Sequence, residues 1–172
     1  ERLLIEVMQN GAYDFIPKSQ LQVDLLETVL INSLLRANLE REVKAKRERL
    51  EHLSFYDSLT DLPNRALFFD RLEQALLDAQ RNKRVFAVMQ MDLNLFKEIN
   101  DNYGHEVGDT VLTVAAQRIK KVLRESDTVA RLGGDEFAAV LIDIASEDDA
   151  HNVADKIAAA ISEPIATDTH LI

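Results

Sequence analysis

Residues 128–142 read TVARLGGDEFAAVLI, which is two apolar segments on either side of a glycine pair. Residues 128–132 and 137–142 are rich in aliphatic and β-branched side chains, which favour strands. Glycine accepts the positive φ that a tight turn demands, so Gly133 and Gly134 are predicted to connect the two segments. The sequence therefore predicts a β-hairpin here.

The segments around the hairpin predict further strands and helices. Residues 85–91 are almost all apolar, as is typical of a central strand covered on both faces, and this strand ends at Asp92. Helical spacing of apolar residues marks three helices: one over 65–80 with Asn64 as its N-cap, one over 109–123, and one that contains Val153, Ile157 and Ile161 and ends near Pro164. A last strand is expected to start near His170. The order is most of a βαββαβ sheet with helices packed against it, an α/β fold.

The first part of the chain is predicted to form one long helix. No Gly or Pro interrupts residues 20–54, and apolar residues recur there at helical spacing. A heptad seam with steps of four and three is apolar at both ends and polar in the middle: Leu25, Val29, Asn32, Arg36, Leu39, Val43, Lys46, Leu50 and Leu53. Two interpretations are open, a single amphipathic helix lying on its own domain and a parallel two-stranded coiled coil. The high charge of residues 40–51 favours the coiled coil, and hence a homodimer.

Composition restricts the class of protein. The chain has 172 residues, 47% of them hydrophobic and 29% charged, which suits one globular domain with an appended helix. Lys and Arg total 20 against 30 Asp and Glu, and the net charge of -10 disfavours nucleic acid and anionic membranes as partners. Cysteine is absent, and no apolar run approaches the roughly 20 residues of a membrane span. We therefore expect a cytoplasmic protein.

Three acidic residues stand at the ends of the predicted strands. Asp92 closes the first strand, and Asp135 and Glu136 follow the glycine pair. If the two strands are neighbours, these carboxylates converge. Carboxylate oxygens without His or Cys suit a hard divalent cation such as Mg²⁺ or Mn²⁺, which would offset the negative charge against a nucleotide phosphate. The alternative is that these acidic residues at turns are simply solvated.

The segment between the strands carries polar side chains suited to a nucleotide. Lys97 can meet a phosphate, while Asn100 and Asp109 can present an amide and a carboxylate to a base edge. His105 is interpreted as a structural histidine bonded to the backbone rather than as a ligand. Four of the five glycines of the chain lie in this segment or in the hairpin, which indicates close approach of the backbone to another group.

Three segments in this order resemble the GGDEF family of diguanylate cyclases: residues 57–65 (DSLTDLPNR), 91–109 (MDLNLFKEINDNYGHEVGD) and 131–137 (RLGGDEF). The resemblance covers roughly residues 55–172. It implies a palm-like antiparallel sheet similar to those of nucleotidyl cyclases, and the condensation of two GTP into cyclic di-GMP with release of pyrophosphate. Because each half of such an enzyme holds one GTP, it also implies that a homodimer is the active form.

The resemblance implies catalytic and metal-binding roles for four residues. The metal ligands are the carboxylates of Asp92 and Asp135 and the backbone carbonyl of Leu93. Glu136 would lie beside a second metal ion or help to activate the attacking 3′-hydroxyl. Mg²⁺ or Mn²⁺ is the cofactor that this set implies.

The resemblance also implies residues that bind the substrate and the product. Guanine recognition falls on Asn100 and Asp109, and Lys97 faces the phosphates. The same substrate site is expected to include Phe96, Gly133 and Gly134. Arg124 and Asp127 match the inhibitory RxxD motif of the family, through which cyclic di-GMP would depress turnover. Without the resemblance, this pair is interpreted as a surface ion pair between positions i and i+3.

The sequence departs from the family pattern in the site and at both ends. Asn94 stands where the commoner form of the family has a second Asp. The family domain normally continues past Ile172 with another core strand, so we expect the chain to be truncated there. Residues 11–18 (GAYDFIPK) resemble the last strand of a response-regulator receiver domain, with Lys18 at the place of its invariant lysine. Residues 1–19 are therefore interpreted as a receiver remnant, which implies a two-component-type signalling protein.

Three functions remain open from the sequence. The first is an active diguanylate cyclase, and the second is a catalytically inactive module that binds GTP or cyclic di-GMP and controls a neighbouring domain. The third is a purely structural dimerisation segment. The intact Gly-Gly-Asp-Glu-Phe segment favours the first, whereas the expected truncation favours an inert fragment.

Overall fold

The computed structural model describes residues 23–167 and 171–172, and side chains from residue 26 onward. The elements of this part of the chain are α1 (Val23–Phe55), α2 (Arg65–Asn82), β1 (Ala87–Asp92), α3 (Phe96–Tyr103), α4 (His105–Val122), β2 (Thr128–Gly133), β3 (Glu136–Leu141) and α5 (Glu147–Ile161). The chain divides into two compact units, with the boundary between Glu51 and His52. The predicted receiver remnant, residues 1–19, lies outside the described residues.

Helix α1 is the long helix that the sequence predicts over residues 20–54. It carries ion pairs at i, i+4 spacing, such as Arg36–Glu40 and Arg47–Glu51. Large apolar side chains of the predicted seam are exposed on it, with Leu39 54% and Val43 66% accessible. The coiled coil stays a prediction, since the structure holds one copy of the chain. No helix in the described part of the chain is both long and apolar enough to cross a membrane.

The sheet has three antiparallel strands in the order β1-β3-β2 within the described residues. Strand β3 is the central one, and its residues from Phe137 to Leu141 are all buried. The sequence predicts a central position for β1, and this is wrong for the described sheet: β1 is an edge strand whose exposed positions include Val88 and Gln90. A continuous apolar run indicates a strand but does not identify its neighbours, which is why the position in the sheet was missed.

Helices cover both faces of the sheet, and each face has its own core. On one face, α4 and α5 bury a cluster that includes Val111, Leu112, Ala115, Ile119, Val129, Phe137 and Ile157. On the other face, Phe68 of α2 packs against Ala130, Ala138 and Val140. The predicted fold class, a mixed fold of helices and an antiparallel sheet, is confirmed.

Several predicted boundaries differ from the structure. The helix predicted from residue 109 begins at His105, and a separate helix, α3, precedes it. Gly104 separates the two with a φ of 86°, a conformation that favours glycine. The last strand was expected near His170, which lies outside the described residues; beside it, Leu171 forms only an isolated bridge with Ala166.

The turn of the hairpin is shifted by one residue from its predicted place. Gly133 is the last residue of β2 and pairs with Glu136, so the two turn residues are Gly134 and Asp135 rather than the glycine pair. Both glycines have positive φ, 149° at Gly133 and 53° at Gly134. The positive φ of both glycines was therefore predicted correctly, but the positions of the two turn residues were not.

Leu95 generates a prediction about stability. It has a φ of 63°, although it is not glycine, and its side chain is 67% exposed. A left-handed conformation costs a non-glycine residue roughly 1–2 kcal/mol, and Asn tolerates it better. We expect Leu95→Asn to raise the free energy of unfolding in urea by roughly 0.5–1 kcal/mol.

The matched control is Leu77→Asn, the same change at an exposed leucine within α2. That change should lower the free energy of unfolding by a few tenths of a kcal/mol, because Asn has the lower helix propensity. A neutral or destabilising Leu95→Asn would contradict the strain at this position.

Candidate active site

The register of β1 against β3 brings two acidic residues opposite each other. Asp92 is the Cα partner of Glu136 at the end of the paired strands. Directly opposed residues of an antiparallel pair lie about 4.5–5.5 Å apart and project their side chains on the same face. Both residues are exposed. The convergence of carboxylates that the sequence predicted for neighbouring strands is therefore present for Asp92 and Glu136.

Asp135 lies in the two-residue turn directly before Glu136 and is half-buried. The turn is held from β2, because the Nε of Arg131 donates a hydrogen bond to the carbonyl of Gly134 at 2.8 Å. Gly133 and Gly134 are exposed, and a Cβ added to either would meet no other atom within 4 Å. Their role at this turn is thus conformational, and they leave open space above the backbone.

The loop after β1 places the remaining predicted metal ligand. The side chain of Leu93 is buried, and its carbonyl accepts a hydrogen bond from the amide of Phe96 at 3.2 Å. A carbonyl oxygen has two lone pairs, so this bond leaves room for a second partner. Asn94, at the position of the family's second Asp, is exposed in the same loop.

The donors at this end of the sheet are oxygen atoms, which suit Mg²⁺ or Mn²⁺ better than zinc or copper. Within residues 23–167 and 171–172, no three His, Cys, Asp or Glu side chains cluster closely enough to hold a metal ion. The carboxylates therefore do not form a closed cage. Mg²⁺ commonly binds through one or two carboxylates and completes its shell with water and substrate phosphates, and the donors here fit that pattern.

The two residues predicted to bind guanine, Asn100 and Asp109, lie on the packed helices α3 and α4. Asn100 is half-buried on α3, and its side chain lies against Gly108, the chain neighbour of Asp109 on α4. Asp109 is exposed, as is Lys97 on α3. Phe96, the first residue of α3, packs against the core beneath them. His105 lies exposed at the start of α4, and its interpretation as a structural histidine stays a prediction.

Arg124 and Asp127 lie in the connection between α4 and β2. The Asp127 carboxylate accepts hydrogen bonds from the backbone amides of Arg124 at 3.1 Å and Ile142 at 3.2 Å. No ion pair joins the two side chains in the described part of the chain, so the surface ion pair is not the role they have here. The Arg124 side chain is exposed beside a cavity of about 520 Å³ that Arg71 and Lys120 also line.

One contact that the sequence pattern does not predict ties the hairpin to the start of the domain. The Nη1 of Arg131 donates to Asp57 at 3.0 Å, across 74 residues of sequence. The same carboxylate oxygen accepts hydrogen bonds from the amide and the hydroxyl of Thr60. The Asp-x-x-Thr spacing is a signal for the local turn, but nothing in the sequence identifies Arg131 as the distant partner. We call Arg131, Asp57 and Thr60 the hairpin clamp.

The environment of Asp57 lowers its pKa. Burial alone would raise the pKa of this carboxyl, but the hydrogen bonds from Thr60 and the hydrogen bond and positive charge of Arg131 outweigh it. The ionised form is therefore stabilised in the folded state. This contribution is complete above the ordinary Asp pKa of about 4 and is lost as the pH falls through the lowered value.

Comparisons with known proteins agree with this architecture. A family model described as "Diguanylate cyclase, GGDEF domain" matches residues 54–172. Diguanylate cyclase TpbB of Pseudomonas aeruginosa is 54% identical over 116 residues, which are 67% of this chain and 27% of TpbB. The bifunctional diguanylate cyclase/cyclic di-GMP phosphodiesterase MucR of the same species is 47% identical over 143 residues, 83% of this chain and 19% of MucR.

A solved structure extends the similarity to the long helix. The coiled coil and GGDEF domain of DgcB from Caulobacter crescentus, in complex with c-di-GMP, matches with a TM-score of 0.72 at 27% identity. The match covers 85% of this chain and 75% of that one.

The fold and the site define the class of protein: a domain of helices and an antiparallel sheet, with an acidic turn at the end of two paired strands. The particular family follows from the matched residues: the chain belongs to the GGDEF family of diguanylate cyclases. It spans about a quarter or less of the length of the two curated relatives named here.

The hairpin clamp generates a prediction about stability. Arg131 and Asp57 are only 12% and 23% exposed, so their interaction is weakly screened by solvent. We expect a double-mutant cycle of Arg131→Ala and Asp57→Asn to give a coupling energy of about 1–2 kcal/mol in urea unfolding at pH 7. At an acid pH below the lowered pKa of Asp57 the coupling should shrink, because protonation of the carboxylate removes the charge that favours the pair.

The control is a cycle of Arg84→Ala and Asp143→Asn, an ion pair whose side chains are 54% and 51% exposed. Its coupling should be below about 0.5 kcal/mol at either pH. Equal couplings for the two pairs would mean that the hairpin clamp is an ordinary surface contact.

Proposed function

We propose that this chain is a metal-dependent diguanylate cyclase domain that condenses two GTP into cyclic di-GMP and pyrophosphate. The observation that carries the proposal is the pairing of Asp92 with Glu136 at the end of β1 and β3, with Asp135 in the adjoining turn. Asp92, Asp135 and the carbonyl of Leu93 would hold Mg²⁺ or Mn²⁺ there, and the cation would neutralise charge on the triphosphate. The family membership supports the same chemistry.

The reaction requires two nucleotides in opposed orientation. The 3′-oxygen of one GTP forms a bond to the α-phosphorus of the other, and the bond from that phosphorus to the bridging oxygen of the β-phosphate breaks, which releases pyrophosphate. The same exchange in the other direction closes the ring. In this proposal Glu136 helps to remove the proton of the attacking 3′-hydroxyl. Since one domain holds one GTP, two copies must meet.

Substrate recognition falls on α3, α4 and the hairpin in this proposal. Asn100 and Asp109 bind the guanine edge, and Lys97 faces the phosphates. Guanine presents a carbonyl acceptor beside ring and amino donors, which an amide and a carboxylate can match. The same site includes Phe96, Gly133 and Gly134.

Product inhibition is assigned to Arg124 and Asp127. Arg71, Lys120 and Arg124 line one cavity together with Asp61, Glu125 and Asp127, so the lining is of mixed charge. What supports a ligand with phosphate groups there is the pair of guanidinium groups, from Arg71 and Arg124, whose donors match phosphate oxygens. The Asp127 carboxylate accepts two amide hydrogen bonds and keeps further acceptor capacity for a guanine ring N–H.

The proposal also includes a homodimer as the active form and phosphorylation as the signal that controls it. The exposed apolar side chains of α1 support a homodimer through residues 20–54, and the matched DgcB structure consists of a coiled coil and a GGDEF domain. The resemblance of residues 11–18 to a receiver strand supports phosphorylation as the input, in a cytoplasmic two-component-type protein.

A regulatory module without activity is the second candidate. The relative MucR is named as both a cyclase and a phosphodiesterase, so a GGDEF domain can share a chain with the opposite activity. In this alternative the chain binds GTP or cyclic di-GMP and controls a neighbouring domain.

Turnover separates the two candidates. With GTP and Mg²⁺, the full chain should form cyclic di-GMP, measured by chromatography of the nucleotides. Asp135→Asn should cut the rate by at least about 100-fold, because it removes the carboxylate charge that would bind the cation. The matched control is Asp155→Asn, the same change at an exposed position of α5, which should leave the rate unchanged.

Formation of product by Asp135→Asn at the wild-type rate would remove Asp135 from the site. Binding of GTP or cyclic di-GMP without any product from the wild-type chain would favour the regulatory module.

A further inference from the structure

Gly108 is a buried glycine in the first turns of α4, and its backbone gives no reason for glycine. Its φ is not among the positive values of the chain, which occur at Gly104, Gly133 and Gly134 among the described glycines. Alanine has the higher helix propensity, so glycine at a helical position costs stability. The reason for glycine at position 108 must therefore be the space around it.

That space is filled by Asn100. A Cβ built on Gly108 would overlap the carboxamide oxygen of Asn100 and would lie 3.0 Å from its Cγ. The next neighbour is the Cζ of Phe96 at 3.3 Å, which is tight but not prohibitive. The carboxamide of Asn100 therefore packs directly against the backbone of α4 at Gly108. A methyl group at this position would displace the carboxamide.

The carboxamide of Asn100 is held by this packing rather than by hydrogen bonds. The backbone carbonyl of Asn100 accepts a hydrogen bond of 2.9 Å from the amide of Gly104, the residue that caps the C-terminus of α3. Its side-chain amide makes no hydrogen bond within the described residues. A half-buried amide with a defined position and free hydrogen-bonding groups is suited to bind a ligand edge, and Asp109, the next residue after Gly108 in the chain, is exposed.

We propose that Gly108 is a positioning residue that sets the carboxamide of Asn100 and thereby determines the preference for guanine. The inference rests on the proposed function, in which Asn100 binds the base. Gly108 does not touch the nucleotide; it acts through Asn100. The competing explanation is that glycine only permits close packing of α3 on α4, chiefly against Phe96.

A stability cycle tests the contact without any nucleotide. In the wild-type background, Gly108→Ala should fail to raise the melting temperature, because overlap with Asn100 cancels the gain in helix propensity. In an Asn100→Ala background, the overlap is gone, and Gly108→Ala should raise it. If Phe96 were the partner, Phe96→Leu rather than Asn100→Ala would make Gly108→Ala stabilising, and that result would overturn the proposal.

Nucleotide selectivity tests the consequence. Binding of GTP and ATP to the full chain with Mg²⁺ is measured by calorimetry. Gly108→Ala should weaken GTP binding by about tenfold, the value of one hydrogen bond to the base, and change ATP binding by less than about twofold. Asn100→Ala should have the same effect, and the double variant should show no further loss. A merely structural glycine would instead weaken both nucleotides equally, or add its loss to that of Asn100→Ala.

Different results would contradict the proposed function and the role of Gly108. A wild-type chain that binds GTP no better than ATP would contradict the proposed function, and with it the specificity role of Gly108. A wild-type chain that prefers GTP, together with a Gly108→Ala variant of unchanged preference, would overturn the role of Gly108 and leave the proposed function standing.

Discussion

The pairing of β1 with β3 is the constraint on which the candidate site depends. The register that sets Asp92 opposite Glu136 also sets Met91 opposite Phe137, which is fully buried in the core beneath α4 and α5. Strand side chains alternate between faces, so a slip of one residue would turn the methionines of β1 away from that core and drive Asp92 into it. The hydrophobic pattern of β1 therefore fixes the position of the acidic residue, and core packing places the carboxylate.

The hairpin clamp adds a second constraint from outside the sheet. The Arg131 guanidinium reaches the turn through Gly134 and the start of the domain through Asp57. The contact to Gly134 holds the backbone directly before Asp135, and the contact to Asp57 ties this turn to the segment that precedes α2. In the proposed enzyme, a bound cation would offset the negative charge of Asp92 and Asp135.

Much of the fold could be predicted because its signals are local. The long helix without Gly or Pro, the N-cap Asn64 of α2 and the glycines of the hairpin each depend on signals within a few residues, and each is found in the structure. What failed was non-local. The edge position of β1, the partner of Asp57 and the contact of Gly108 with Asn100 depend on segments that meet only in the folded chain. The one-residue shift of the turn has the same origin, since the pairing of Gly133 with Glu136 is set by the opposite strand.

Paramagnetic broadening by Mn²⁺ tests most directly whether strand pairing assembles a site for a metal and nucleotide. The measurement is the loss of backbone amide signals when Mn²⁺ is titrated into the labelled chain with GTP present. The account predicts that signals of residues 92–94 and 134–136 disappear first, from both sides of the β1–β3 pair at once. Earliest loss at residues 147–149, the acidic first turn of α5, would contradict it, because the cation would then bind where acidic residues are dense rather than where the strands bring carboxylates together.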